Sequence, residues 1–470
     1  MTEKNIDHLV ESNSSPRRVL TLLDCICIIV GTIIGAGIFV MPAVVSTHVP
    51  DVQWFFAVWV LGGAIALIGA ICFAELTTTY PDRGGDYGYL KRGYNKQVGF
   101  AFSWAAFWVI RPGNIGAMAI IFGKFASQAF PWMATPLWLA ICSVVVMTAT
   151  NLLGVTFGKT VQNFLTIAKV TGILLVLSAA LMYDLGGEGP VESAASVAIS
   201  TVESDSAQTS FWLAMVFVMF TFGGWNDIAF VASEVQQPEK NLLRSLILGT
   251  TVVLVIYLLV NLALVVGLGF AEMSRLGSKW ENPTSALIET RLGPQGLAMF
   301  AVLVCMSCLG AINAMIFTSP RIYWATALDY PALRWLAGSF ESRQGWWRAM
   351  LLQGAVTIVF VAVFGQQEQG IDNIVAATAP YFWLFLSLTV ISLMICRVRY
   401  RGQFTGFRTP LYPLLPLIFV TACGLMMVQA WSYLWEQKLW LPAFLIGGWV
   451  LIGVVFSLVL EKRKLKIENR

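Results

Sequence analysis

Apolar residues come in blocks of about twenty along this chain, and short polar segments bearing Lys and Arg separate them. A helix rises about 1.5 Å per residue, so roughly twenty apolar residues cross the ~30 Å hydrocarbon core of a bilayer. The pattern predicts twelve spans, over 19–46, 54–79, 98–127, 136–153, 161–183, 210–233, 243–270, 294–328, 347–364, 371–396, 411–434 and 439–460. The expected class is an all-α integral membrane protein with 12 transmembrane helices.

The basic residues test this reading independently. Lys4, Arg17 and Arg18 precede the first block, and Arg83, Lys91, Arg92 and Lys96 follow the second. Lys159, then Lys240 and Arg244, then Arg334, Arg343 and Arg348, then Arg397, Arg399, Arg401 and Arg408 occupy every second connection after that. Lys462, Arg463, Lys464, Lys466 and Arg470 close the chain. The alternate connections hold little beyond Arg275, Lys279, Arg291 and Lys438. Lys and Arg collect on the cytoplasmic side, so both termini are expected there, in the cell membrane. The alternation also requires an even number of spans.

Composition agrees: 57% of the 470 residues are hydrophobic and 12% charged, against about 25% charged in soluble domains. A net charge of +4 gives no reason to expect nucleic acid as a partner; the lipid bilayer is the expected surroundings. The Arg17–Arg18 pair reads as an anchor for the first span, because the run from Val19 is too long for a signal sequence and lacks a small-residue cleavage site. Cys305 and Cys308 form a CxxC, but in an apolar run without histidine neighbours they read as packing residues. The two histidines, His8 and His48, lie away from mid-membrane. No metal site and no cofactor are expected. No GxxxxGK[ST] loop is present, so ATP does not drive this chain directly. An enzyme would need carboxylates or histidines clustered at one depth, and the pattern shows none.

Two spans carry glycines near their middles. The first holds Gly31-Thr-Ile-Ile-Gly35-Ala-Gly37-Ile-Phe39, and the sixth holds Phe220-Thr-Phe-Gly223-Gly224-Trp225-Asn226. Interior glycine costs a helix about 1 kcal/mol relative to alanine, so adjacent glycines mark places where a helix opens. In lipid, an opened turn survives only where protein buries it or a cavity hydrates it. It then offers bare N–H groups at one half-helix and bare carbonyls at the other, which suits the carboxylate and ammonium of a zwitterion. The competing reading is close packing, since Gly31 and Gly35 form a GxxxG pair. The spacing favours a site: the two breaks fall five spans apart, where inverted five-helix repeats would put them.

The stretch from Ile28 to Pro42 resembles the first helix of the L-type amino acid transporters, of the amino acid–polyamine–organocation (APC) superfamily. Phe220 to Asn226 resembles that family's sixth-helix binding segment. Ala74-Glu75-Leu76 with Gly84-Gly85-Asp86-Tyr87, Ile110-Arg111-Pro112, Phe317-Thr318-Ser319-Pro320-Arg321 and Phe407-Arg408-Thr409-Pro410-Leu411-Tyr412-Pro413 follow in the same order. The resemblance implies the LeuT-like fold, two inverted five-helix repeats (19–183 and 210–397) around an extracytoplasmic loop (184–209), then two further helices (398–461). Cytoplasmic tails cover 1–18 and 462–470. It also implies that amides at Gly35, Ala36, Gly37 and Ile38 take a substrate carboxylate. Carbonyls at Ile33, Phe220 and Gly223 would take the ammonium, with Thr221, Gly224, Trp225 and Asn226 in the same segment and Phe220 as a gate. Animal members pair with a heavy chain through a cysteine between the third and fourth spans; the loop 128–135 has none, so no disulfide-linked partner subunit is expected.

Several ionisable residues lie at lipid depth, where such residues usually serve function. Lys169 in the fifth span either braces the first helix and acts in coupling or snorkels to the cytoplasmic face. By resemblance it stands where sodium-coupled carriers bind the ion, so sodium-independent transport is expected. Pro112 should kink the third span, and Arg111 should hold a buried ion pair with Glu75, Asp227 or Glu234. Asp24 is a candidate for the inner gate, and Asn313 either lines the cavity or bonds another helix. Asp227, one position past the site, is expected to face away. The expected activity is exchange of neutral amino acids by alternating access; a proton-coupled symporter and a membrane-embedded sensor are the alternatives.

Overall fold

The structure, a computed structural model, describes residues 18–468 apart from 82–83, 131, 134, 185–209, 280–281, 338–345, 367–369, 401–405, 437 and 439. Lys4, His8, Arg17, Arg83, Arg343, Arg401, Arg470 and the acidic residues of the long loop lie outside the described residues.

Among the described residues, nine helices are long and apolar enough to cross a bilayer, and Leu22–Ile33 with Gly37–Ser46, bent by 47°, makes a tenth span. The two remaining predicted spans are the helices Pro136–Leu152 and Val155–Asp184. Polar residues at the apolar boundaries start many of these helices. Asp51, Asn95 and Ser210 cap three of them by accepting from the amides of Trp54, Val98 and Leu213, and Thr21 with Asp24 forms a capping box at the start of span one. Exposed Val145, Val146, Leu153, Phe164, Ile167 and Leu451 face outward, as a lipid-solvated surface requires.

Three features depart from twelve plain helices. The third span widens to a π-turn over Ala106–Ile110, and the amide of Arg111 bonds the carbonyl of Ala106. The helix then continues as Arg111–Ala129, so the wide turn absorbs the disruption expected at Pro112. The connection between spans seven and eight is itself helical: Phe270–Ser278, then a leader from Pro283 that joins span eight at Gly293. Phe270, Met273, Leu276 and Gly277 are buried on one face of the helix Phe270–Ser278, which packs on Gly37–Ser46, the second half of span one. It is too short and polar to read as a span. Finally, the second half of span six, Trp225–Glu234, is a 3₁₀ helix.

Candidate functional site

Span one is interrupted at Ile34–Ala36. Ile34 leaves helical geometry at ψ 89°, and the Gly35 amide turns back to Ile33 O at 2.9 Å. The second half starts at Gly37 with no side chain capping it, so its first amides keep the positive end of the helix dipole free for an anion. The freed carbonyls are taken by neighbouring spans. Lys169 Nζ donates to Gly31 O (3.1 Å), Ile34 O (2.7 Å) and Ser307 O (3.0 Å). The Ser307 hydroxyl lies 3.1 Å from both Ile34 O and Gly35 O. Lys169 is fully buried, so of its two readings the brace holds and the snorkel does not.

Span six stops at Thr221. The Gly223 amide closes a turn on Phe220 O at 3.0 Å, and Gly224 adopts φ +113°, a conformation that glycine takes readily and other residues rarely. A Cβ at Gly224 would also stand 2.7 Å from Thr32 Cγ2. The two breaks therefore touch each other. One residue that sequence reasoning missed joins them: the Tyr257 hydroxyl, on span seven, lies 3.0 Å from Ile33 O and 3.1 Å from Thr221 O. Its single hydrogen is shared between two carbonyls that an α-helix would have occupied. No pattern in span seven announces it, because a tyrosine in an apolar run is ordinary.

Between the breaks lies a cavity. Ile33, Gly35, Gly37, Phe220, Thr221, Gly223 and Gly224 line it, with Arg111, Asn114 and Met118 from span three, Met315 from span eight, and Phe382 and Trp383 from span ten. Ala36, Ile38, Trp225 and Asn226 are buried and are not among its lining. Trp225 packs edge-on against Phe73, ring centroids 5.0 Å apart, and Asn226 donates to Asp86 at 3.3 Å. The glycines divide the two readings between them. Gly31 serves packing, since a Cβ there would collide with Gln162 and Thr166 of span five, while Gly35 and Gly37 line the cavity.

Asp227 corrects its expectation: it faces the cavity. A 3₁₀ helix repeats every three residues, which returns Asp227 to the side of Gly224. It is also the partner of Arg111, with two bonds of 2.6 Å, whereas Glu75 pairs with Arg397 and Glu234 with Arg321. Asn313 makes interhelical hydrogen bonds, accepting from Asn151 at 2.7 Å and donating to Gln162 at 2.8 Å. At the N-terminal end of span one, Asp24 meets Lys159 at 2.9 Å and Asn163 at 2.6 Å. Among the described residues, no three His, Cys, Asp or Glu side chains are grouped to hold a metal ion.

Comparison with known proteins agrees with this architecture. The family described as amino acid permease matches residues 20–456. The serine/threonine exchanger SteT of Bacillus subtilis is 27% identical over 86% of this chain and 89% of its own length. The b(0,+)-type amino acid transporter 1 of Mus musculus is 26% identical over 92% of the chain and 88% of its own. The human large neutral amino acids transporter small subunit 2 is 30% identical over 70% of the chain and 63% of its own. The match spans both broken helices and everything between them: this chain belongs to the amino acid permease family, as a multi-pass membrane transporter and not an enzyme.

Proposed function

We propose that this chain exchanges neutral amino acids across the cell membrane, without sodium, by alternating access. The observation that carries the reading is the pair of interrupted spans on facing walls of one cavity. Main-chain donors at the start of Gly37–Ser46 suit a carboxylate, and carbonyls at Ile33 and Phe220 suit an ammonium. That binding recognises the part common to all amino acids. The relatives' names support the substrate class, since one is called a serine/threonine exchanger and another a large neutral amino acids transporter.

Sodium independence follows from Lys169. Its ammonium donates to three carbonyls around the span-one break, and a fixed cation there fills the place a sodium ion would need. Phe220 lies on the cavity wall and acts as the lid over bound substrate. Both termini face the cytoplasm, as the distribution of Lys and Arg requires, and no disulfide-linked subunit is needed.

Proteoliposomes test the reading. Uptake of a labelled neutral amino acid should rise at least tenfold when the lumen holds unlabelled amino acid, and should persist when choline replaces sodium. Uptake driven equally well into empty vesicles by a pH gradient would replace exchange with proton symport. Loss of uptake in choline would end sodium independence.

A further inference from the structure

One wall of the cavity carries full charges. Arg111 and Asp227 both line it, and the guanidinium holds the carboxylate at two points, Nη1 to Oδ2 and Nη2 to Oδ1, each 2.6 Å. The Phe230 ring lies 4.9 Å from the guanidinium carbon, and the Thr318 hydroxyl lies 3.4 Å from Asp227 Oδ2. Arg111 Nε has no hydrogen-bond partner, so the pair leaves a donor unused. Asn114, also on the cavity wall, adds a neutral polar group.

The other ionisable groups facing the pair are Tyr323, on the cytoplasmic end of span eight, and Asp86, in the connection after span two. Asp86 is buried, Oδ2 accepts one bond from Asn226, and Oδ1 has no partner. Burial pushes its carboxyl up to about 8, against the pull of Arg111 and with the added push of Asp227. Asp86 is not part of the cavity lining, and the Arg111–Asp227 wall itself sums to zero charge.

We propose that Asp227 is a specificity-determining residue: as the resident counter-ion of Arg111 it keeps this wall of the cavity electrically neutral and reserves the cavity for amino acids with uncharged side chains. The proposal rests on the amino acid exchange reading. A charged side chain brought to this wall meets a like charge already satisfied by its partner. It gains nothing unless it displaces that partner, and beside buried Arg111 and Asp227 both displacement and crowding are costly. An uncharged side chain disturbs nothing. Arginine stays protonated in proteins, so removing the aspartate's charge leaves a bare cation in the wall that a side-chain carboxylate would answer. The reverse variant is less informative, because an abandoned Asp227 can take up a proton.

The test is competition in proteoliposomes. Labelled leucine is exchanged against unlabelled leucine, serine, glutamate or arginine in the wild type, in Asp227→Asn and in the double variant Arg111→Gln/Asp227→Asn. The wild type should prefer leucine or serine over both charged amino acids by at least tenfold. D227N should raise glutamate relative to leucine by at least tenfold. The double variant, whose wall is again neutral, should return to the neutral-first order. A folded D227N with the wild-type order overturns the proposal, and so does a double variant that prefers glutamate. If D227N does not fold, the double variant and the wild type decide alone: stabilisation of both against heat by leucine but not by glutamate supports the proposal, and glutamate stabilisation of the double variant overturns it. Absence of any amino acid flux in the wild type defeats the exchange reading itself; intact neutral exchange with an unmoved D227N defeats only this proposal.

Discussion

The two broken spans solve the same problem in different ways. In span one the freed carbonyls are handed to other helices: Lys169 of span five, Ser307 of span eight and Tyr257 of span seven all reach the break. In span six the break is closed mainly from within, by the turn of Gly223 onto Phe220 and the left-handed Gly224, and its next charged residue is tied to span three. Span one is therefore held open by its neighbours and presents donors, whereas span six is shaped by its own backbone and borrows little. A break held from outside should be sensitive to distant side chains. A break shaped from inside should be sensitive to its own glycines.

The comparison can be broken in order of expected effect. Lys169→Met strips a buried ammonium from three carbonyls. Hydrogen bonds to charged groups are worth about 1.5–3 kcal/mol each, so exchange should fall at least a hundredfold and the melting temperature should drop. Near-normal flux in that variant would mean that span one holds itself open.

Gly224→Ala comes next. It places a side chain at φ +113° and 2.7 Å from Thr32, with backbone strain of about 1–3 kcal/mol. A tenfold or greater loss of exchange is expected, with the defect in substrate binding measured by isothermal titration. The same change at Gly448, where a Cβ would meet nothing within 4 Å, should do little and serves as the control.

Tyr257→Phe removes one shared hydroxyl between the breaks. A loss of about 1 kcal/mol should appear as a several-fold rise in KM with kcat less affected. An unchanged KM would detach span seven from the site.

The smallest effect is expected from Asp24→Asn, which keeps a side-chain oxygen to accept from the Thr21 amide but removes the charge facing Lys159. Asp24 is buried, but Lys159 keeps its bond to the Val19 carbonyl, so the loss should be about 1 kcal/mol or less. Hydrogen exchange at the amides of 22–33 should quicken a few-fold, and no change would remove Asp24 from the inner gate.

Much of this was legible from the chain. The twelve apolar runs and the two glycine interruptions follow from hydropathy and from the cost of glycine in a helix, whereas the choice between a braced and a snorkelling Lys169 needed the structure. The rest depended on helix type, which sequence reports poorly. From its place one position past the glycine segment, Asp227 is expected to face away, yet three residues on from Gly224 the 3₁₀ repeat of Trp225–Glu234 brings it back to the cavity side. For the same reason Trp225 and Asn226, read as site residues, have side chains spent on Phe73 and Asp86. The helix Phe270–Ser278 escaped notice because its apolar face is only a few residues long. Arg111 was read as half of an ion pair, but only coordinates could choose among three carboxylates.

A last feature bears on how such a molecule moves. Leu20 and Val235 form a parallel bridge, with the Leu20 amide on Glu234 O at 3.0 Å and the Gln236 amide on Leu20 O at 2.8 Å. The entrance to span one and the exit of span six are thus stitched together by main chain, a linkage that ordinary side-chain substitution cannot cut. Whatever swings open at this end of the bundle must either carry both half-helices as a single hinged flap or first unpick that seam.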